Sequence, residues 1–355
     1  MEYKTALDKK ETHRFSRQLI LKEIGLENHK RICAAKILIV GLGGLGSPVL
    51  TYLSSSGIKN FILVDFDTVE LHNLQRQTIH KEKFINELKT VSAKEFIKEI
   101  NSSINVECYA TKLNRDNINL IASQANIIVD CTDDLETRYI ISEYAKSYKK
   151  SVIMGSVLKF SGQVYVFPEG KSCYSCVFPE FKVTRENCSN AGVLGSVCGI
   201  IGSIQATEVI KNILNDYDPY ILTYDAIDNA FNKISIRKCK NTCNMVTFPV
   251  TCNIEPTIPS ENFLTWKDYL HDKEKYLLVD LRNKEAYELC HLIDSVNFSV
   301  DSISPEIDDK IVVLLCRRGI YAQKVWDQFK RKNIFVLKGG LTAYKEEVDP
   351  NFIIF

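Results

Sequence analysis

The chain has almost no net charge. Its 45 Lys and Arg face 44 Asp and Glu, leaving a formal charge of +1 over 355 residues. That balance gives a polyanion nothing to hold, so nucleic acid is not an expected partner. A secretion leader is missing too, because the opening MEYKTALDKKETHR is polar and lacks an apolar stretch. Long hydrophobic runs are absent. The longest apolar-looking segment, AGVLGSVCGIIGSIQA, falls short of the roughly 18 residues a bilayer span needs and is rich in Gly and Ser. These absences predict a soluble, cytoplasmic protein with no membrane partner. Internal repeats and low-complexity tracts are also lacking.

At 45% hydrophobic and 25% charged residues the chain has ordinary globular composition. Its length allows about two domains of roughly 100–200 residues each. Cysteine is abundant, with 12 in all. A reducing compartment does not keep structural disulfides, so spacing and setting must explain the thiols. Cys33, Cys108, Cys131, Cys198 and Cys290 lie in apolar or helical contexts and read as core packing.

The aliphatic run KILIV (36–40), a glycine-rich turn, the helix-like SPVLTYLSSSGI and a second run, NFILVDFD, make a βαβ unit and imply a parallel sheet. Within 87–100, Ala93, Phe96, Ile97 and Ile100 share one helical stripe. ANIIVDCTDD, SVIMGSV and GQVYVFPEG read as further strands, and a helix is predicted from Gly195 to about Leu214. Three prolines and weak periodicity mark 246–260 as a linker. Beyond it βα alternation restarts with YLLVDLR, SVNFSV, KIVVLLC, a helix around AQKVWDQFKRK, and IFVLKGG. The pattern predicts an α/β domain at 1–245 with a Rossmann-like doubly wound sheet, and a small α/β domain at 261–355.

Gly41, Gly43 and Gly46 satisfy G-x-G-x-x-G between a strand and a helix, with Gly44 inside the turn. Such a turn lets the backbone approach phosphate at a helix N-terminus, and Asp65 at the end of the next strand would accept from ribose hydroxyls. Alone this suits an NAD-dependent dehydrogenase as well as an ATP enzyme. The following stretch adds Asp67, Asn73, Arg76 and Lys89. A lysine in the first turn of a helix opposes the dipole, which makes sense if it reaches a triphosphate. DCTDD places Asp130, Asp133 and Asp134 at a strand's carboxyl end, where Asp133 beside polyphosphate would require Mg²⁺.

RFSRQLIL, GLGGLGSP, VDFDTVELHNLQRQ, Lys89, DCTDD and CSNAGVLGSVCGIIGSIQATEVIK together resemble the ubiquitin-activating-enzyme-like adenylyltransferases, typified by MoeB and ThiF, over residues 10–245. The resemblance implies ATP binding around Gly41–Gly46 and Asp65, with phosphate contacts from Arg76 and Lys89. It also implies Asp133 serving Mg²⁺ and the reacting phosphate, and a homodimer in which Arg17 reaches the partner subunit's ATP. Asp134 stands where the family usually has Asn.

CYSC and CKNTC bring Cys173, Cys176, Cys239 and Cys243 into two knuckles, C-x₂-C and C-x₃-C. Without nearby histidine they read as a structural Cys₄ zinc site, with Cys252 as a spare ligand. Cys188, in the polar RENCSNAG, reads as a reactive loop thiol. The family resemblance implies that it links covalently to a carrier protein, by thioester or mixed disulfide.

In LLCRRGIYAQ (314–323) a strand ends at Cys316 and a helix follows. Loop N–H groups and Arg317 and Arg318 favour an anion there, which predicts an exposed thiol with a lowered pKa. Residues 261–355 resemble a rhodanese domain, whose loop carries sulfur as a cysteine persulfide and so points to Cys316. An adenylated carboxylate is an electrophile and a persulfide a nucleophile. The fusion is similar to activator–sulfurtransferases of ubiquitin-like sulfur carriers ending in Gly-Gly, which act in tRNA thiolation or molybdopterin synthesis. A cysteine desulfurase or other donor would load the sulfur. A thioester-forming activator without sulfur transfer is the alternative.

Overall fold

Residues 36–40 become β1 (Lys36–Val40), with Ile37, Leu38 and Ile39 wholly buried. A strand covered on both faces belongs inside a parallel sheet flanked by helices. The computed structural model describes residues 9–179, 192–239, 262–298, 311–329 and 333–354. Cys188, Cys243, Cys252 and the linker 246–260 lie outside the described residues. The chain divides into two compact units, Met1–Val246 and Thr247–Phe355.

In the first unit β1 is joined by β2 (Asn60–Val64), β3 (Asn105–Tyr109), β4 (Ile127–Asp130), β5 (Ser151–Leu158), β6 (Ser161–Phe167), β7 (Tyr220–Asp225) and β8 (Ala230–Ser235). Their spatial order is β3-β2-β1-β4-β5-β6-β7-β8. The first five run parallel, and β6 to β8 form an antiparallel meander. The doubly wound parallel core matches expectation, while the meander was half missed. β8 is exposed along nearly its whole length, so it carries no buried alternation to read.

The helices of this unit are α1 (Lys9–Leu19), α2 (Gly25–Ala34), α3 (Gly46–Ser55), α4 (Lys89–Ile100), α5 (Ile118–Ala122), α6 (Leu135–Ser147), α7 (Tyr174–Val177) and α8 (Gly195–Leu214). At 20 residues α8 is long and apolar enough to cross a membrane by length and composition, which corrects the shorter run counted from sequence. It serves instead as a core helix. Val197, Cys198, Ile201 and Val209 are buried, and the helix packs on α3, β5 and β6. The crossing with α3 is close: a Cβ at Gly202 would meet Pro48 Cγ at 2.3 Å and the Leu45 carbonyl at 2.6 Å.

The second unit is a five-stranded parallel sheet in the order β11-β10-β12-β13-β9. Its strands are β9 (Phe263–Leu264), β10 (Tyr276–Asp280), β11 (Ser295–Asn297), β12 (Ile311–Leu315) and β13 (Ile334–Leu337). Around them lie α9 (Trp266–His271), α10 (Lys284–Leu289), α11 (Ile320–Phe329) and α12 (Gly340–Glu347). Alternation along β12 divides the core. Val312 and Leu314 face one cluster with Val325 and Trp326, while Val313 and Leu315 face another with Trp266 and Leu341. Both indole N–H groups are satisfied, Trp266 by the Gly340 carbonyl and Trp326 by that of Ile334, each at 2.8 Å. The two-residue β9 was too short to register in the sequence.

Three of the five cysteines read as core depart from expectation. Cys131 and Cys198 are buried as expected, but Cys33 and Cys290 are half-buried and Cys108 is exposed. Cys108 lies on β3, the edge strand, so one flank of its apolar context faces water. For the core, Gly202→Ala is expected to cost about 1–3 kcal/mol, because the added methyl must push α8 from α3. Chemical denaturation of the full chain measures it.

Candidate active sites

The glycine turn after β1 closes on itself. Gly41 has φ +90°, and a Cβ at Gly46 would lie 2.2 Å from the Gly41 carbonyl oxygen. No side chain fits there. Asp65, only 8% exposed at the end of β2, accepts from Leu42 N–H at 2.7 Å and from Asp67 N–H at 2.8 Å. Burial pushes its carboxyl up, against the nearby Lys89 charge and those two N–H groups. Lys89 opens α4 as read from sequence and is 5% exposed. Its Nζ pairs with Asp67 Oδ2 at 2.9 Å, and its backbone N–H donates to the Asp67 carbonyl at 3.0 Å.

Asn73 is buried and its Oδ1 accepts from Glu70 N–H. Arg76 is half-buried and donates to the His72 carbonyl at 3.1 Å, and its Cγ would touch a methyl placed on Gly44. The turn therefore gathers Gly41, Gly43, Gly44, Gly46, Asp65, Asp67, Arg76 and Lys89. Arg17 is exposed on α1, and among the described residues no contact ties it to them. His80, which the sequence reading missed, holds the Leu42 carbonyl at 2.9 Å.

The DCTDD segment abuts the turn, since a Cβ at Gly41 would meet the Cys131 carbonyl at 2.8 Å. Asp130 is fully buried and receives Arg138 Nε at 3.0 Å, with Thr132 N–H and hydroxyl at 2.9 and 2.7 Å. Arg138 Nη2 reaches the Gly155 carbonyl at 2.6 Å and the Thr132 carbonyl at 3.2 Å. Removing one member of such a pair strands the other charge, a loss of about 3–5 kcal/mol. Arg138 was missed, yet it sits near the start of α6 against the dipole, the same signal that singled out Lys89. Asp133 is exposed and makes no hydrogen bond or ion pair among the described residues, which leaves its hard carboxylate oxygens free for a divalent cation. Asp134, the departure from the family's Asn, caps α6 through Thr137 and pairs with Lys112 Nζ at 3.2 Å. Burial raises its pKa, but Thr137 and Lys112 outweigh it and hold the carboxyl low. The extra charge is thus answered locally.

In the second unit Cys316 follows β12 directly and is only 4% exposed, so the exposed thiol predicted from sequence is corrected. Its carbonyl accepts from Leu341 N–H at 3.0 Å, which docks the loop on the start of α12. Burial pushes the Cys316 thiol up, against N–H groups of Ala322, Tyr321, Arg318 and Gly319. Ala322 N–H donates to Sγ at 3.4 Å. The lowered pKa is corrected as well. The loop N–H groups do converge, but the neighbouring apolar cluster outweighs them. Beside the loop, Arg282 grips Asp280 Oδ2 at 2.7 Å and the Cys290 carbonyl at 2.7 Å, both acid and base buried. Leu281 N–H then joins β10 to the Leu315 carbonyl.

The family model described as ThiF family matches residues 15–245, covering both the glycine turn and DCTDD. The chain belongs to the ThiF family. A second model, Rhodanese-like domain, matches residues 265–347 and includes Cys316. The chain is 33% identical over 398 aligned residues to adenylyltransferase and sulfurtransferase MOCS3 of Culex quinquefasciatus, covering 99% of this chain and 91% of that protein. For MOCS3 of Xenopus laevis the identity is 31%, over 98% and 89%. Among solved structures, E. coli MccB superposes with a TM-score of 0.59 at 20% identity, over 67% of this chain and 73% of that one. E. coli MccB with ATP gives 0.56 at 21% identity, over 65% and 74%. At such identity these two speak for the fold.

The ThiF module also carries a thiol cluster. Cys173, Cys176 and Cys239 place their sulfurs within 4.8 Å of one another, with Cys239 Sγ 2.9 Å from Cys176 and 3.9 Å from Cys173. Three convergent soft donors from two chain segments, one at the start of α7 and one following β8, none in a disulfide, suit a thiophilic cation.

The raised Cys316 pKa has a measurable sign. A thiol whose pKa lies above its ordinary value of about 9 stays protonated at neutral pH, and its thiolate forms only at higher pH. Iodoacetamide at about pH 7.5 is expected to label Cys316 roughly tenfold more slowly than a short peptide thiol, with the rate still climbing above about pH 9. Site-resolved mass spectrometry reads both.

Proposed function

We propose that this enzyme adenylates the C-terminal glycine of a ubiquitin-like sulfur carrier ending in Gly-Gly, then delivers sulfur from Cys316 to leave a thiocarboxylate. One observation carries the reading: a single chain joins the ThiF glycine turn, with Lys89 and Asp133 beside it, to a rhodanese-like loop bearing Cys316. The MOCS3 relatives are named for both activities. Neither a dehydrogenase nor a thioester-only activator accounts for both halves.

In the first step the carrier carboxylate attacks the α-phosphorus of ATP and pyrophosphate leaves. The nucleophile is already an anion, so no general base is needed, and positioning and charge neutralisation supply the catalysis. Lys89, now held by Asp67, would turn to the triphosphate together with Arg76. Gly43 and Gly44 offer backbone N–H groups, and Asp65 would accept from ribose. Mg²⁺ would neutralise phosphate charge, held by Asp133. Arg17 would act on the ATP of a second subunit in a homodimer.

In the second step a terminal persulfide sulfur on Cys316 attacks the acyl carbon and AMP leaves, giving an acyl disulfide. Cys188 thiol then attacks the Cys316 sulfur. The carrier departs as thiocarboxylate, and a Cys188–Cys316 disulfide remains for an external thiol to reduce. A cysteine desulfurase would supply the sulfur, and the cytoplasm keeps the thiols reduced. Zn²⁺ would brace the ThiF module through Cys173, Cys176, Cys239 and Cys243, closed to chemistry by its four thiolates. The carriers served would be those of tRNA thiolation or molybdopterin synthesis.

Carrier-dependent ATP–pyrophosphate exchange tests the first step. Cys316→Ala is expected to keep exchange within about twofold while thiocarboxylate on the carrier, followed by mass spectrometry, disappears. Loss of exchange in that variant, or continued thiocarboxylate, contradicts the division of labour. For the metal, elemental analysis is expected to give about one zinc per chain. Cys176→Ala should lose the zinc, and chelation should lower the melting temperature.

A further inference from the structure

Leu42, inside the glycine turn, has both backbone polar groups held by side chains. Its N–H donates to Asp65 Oδ2 at 2.7 Å, and its carbonyl lies 2.9 Å from His80 Nε2. A carbonyl has no proton to give, so Nε2 carries the imidazole hydrogen. Nδ1 then accepts from the Ser92 hydroxyl at 2.9 Å, which fixes the tautomer. His80 is 5% exposed, and burial pushes its pKa down to about 4, against the Leu42 carbonyl and with help from Lys89. The ring is neutral at neutral pH.

No peptide bond in the described chain is cis. In a trans peptide the carbonyl and the following N–H point in opposite directions. Turning the Leu42 carbonyl inward onto His80 therefore turns Gly43 N–H outward. Neither Gly43 nor Gly44 N–H makes a hydrogen bond among the described residues. Ser92 belongs to α4, the helix that opens on Lys89. One imidazole thus ties the glycine turn to the helix bearing the lysine.

We propose that His80 is a positioning residue for nucleotide binding: it keeps the Leu42 carbonyl turned away from phosphate and Gly43 N–H presented to it. Without that donor the 42–43 peptide is free to rotate, and a carbonyl oxygen then opposes the anion. The inference rests on the ATP reading above.

The test is calorimetric binding of α,β-methylene-ATP with Mg²⁺ to the full chain, alongside thermal melting without nucleotide. Failure of the wild type to bind overturns the ATP reading and this inference together. With wild-type binding in hand, His80→Leu removes the donor at similar bulk and is expected to weaken binding by roughly tenfold. His80→Gln keeps an amide donor for Leu42 and should stay within about threefold, although both variants lose comparable melting temperature. A purely structural histidine would not separate the two affinities. Binding by His80→Leu within about twofold of wild type, or equal weakening of both variants, overturns the proposal. Should His80→Leu fail to fold, Ser92→Ala decides, because it frees the ring to turn a lone pair toward the Leu42 carbonyl. Roughly fivefold weaker binding is expected, and unchanged affinity overturns the proposal.

Discussion

Peptide-bond direction at the carboxyl ends of parallel strands governs this molecule. A strand that stops and turns into a helix exposes N–H groups that the helix cannot satisfy, and those groups favour an anion. Both units use that turn, after β1 in one and after β12 in the other. The first turn demands glycine because its backbone nearly touches itself, with Gly46 against the Gly41 carbonyl. The first is then pinned by the buried side chains of Asp65 and His80, and the second by the start of α12, whose Leu341 and Thr342 N–H groups donate to the Cys316 and Arg317 carbonyls.

Charge is distributed on a second level. The Asp130–Arg138 and Asp280–Arg282 pairs are buried, and their charges cancel before any ligand arrives. Such pairs add little net stability over an apolar replacement, but a lone member is costly, so they act as fixed braces. Lys89 differs. It is buried, yet its partner Asp67 is half exposed, so the pair borders solvent where a polyphosphate could compete for the lysine. In the first unit a brace and an exchangeable pair therefore both lie at the carboxyl end of the same parallel sheet, after β4 and β2.

The sequence disclosed whatever was periodic or locally spaced. The parallel core, the span of α8 and the start of α4 at Lys89 followed from apolar runs and glycines, and the thiol cluster followed from cysteine spacing. Partnerships across the fold were hidden, because Arg138 and Asp130 are eight residues apart and His80 lies 38 residues from Leu42. Burial was misjudged where neighbours in sequence are not neighbours in space. Cys108 has apolar companions but occupies an edge strand. Cys316 has two arginines beside it but looks inward. Arg138 could have been found by the dipole argument already applied to Lys89.

The burial of Cys316 bears on how a sulfur carrier should be built. A thiol pushed up in pKa is a poor nucleophile at neutral pH and resists adventitious oxidation or alkylation while empty. In the proposed cycle the bound sulfur extends the side chain by one atom, so negative charge resides on the terminal sulfur instead of on Sγ. The N–H groups of Arg318, Gly319, Tyr321 and Ala322 fail to overcome burial at Sγ. In that cycle they would cradle the outer charge, which only the loaded state carries. Under that proposal loading would confer reactivity, while the apolar cluster around Cys316 keeps the empty thiol protonated.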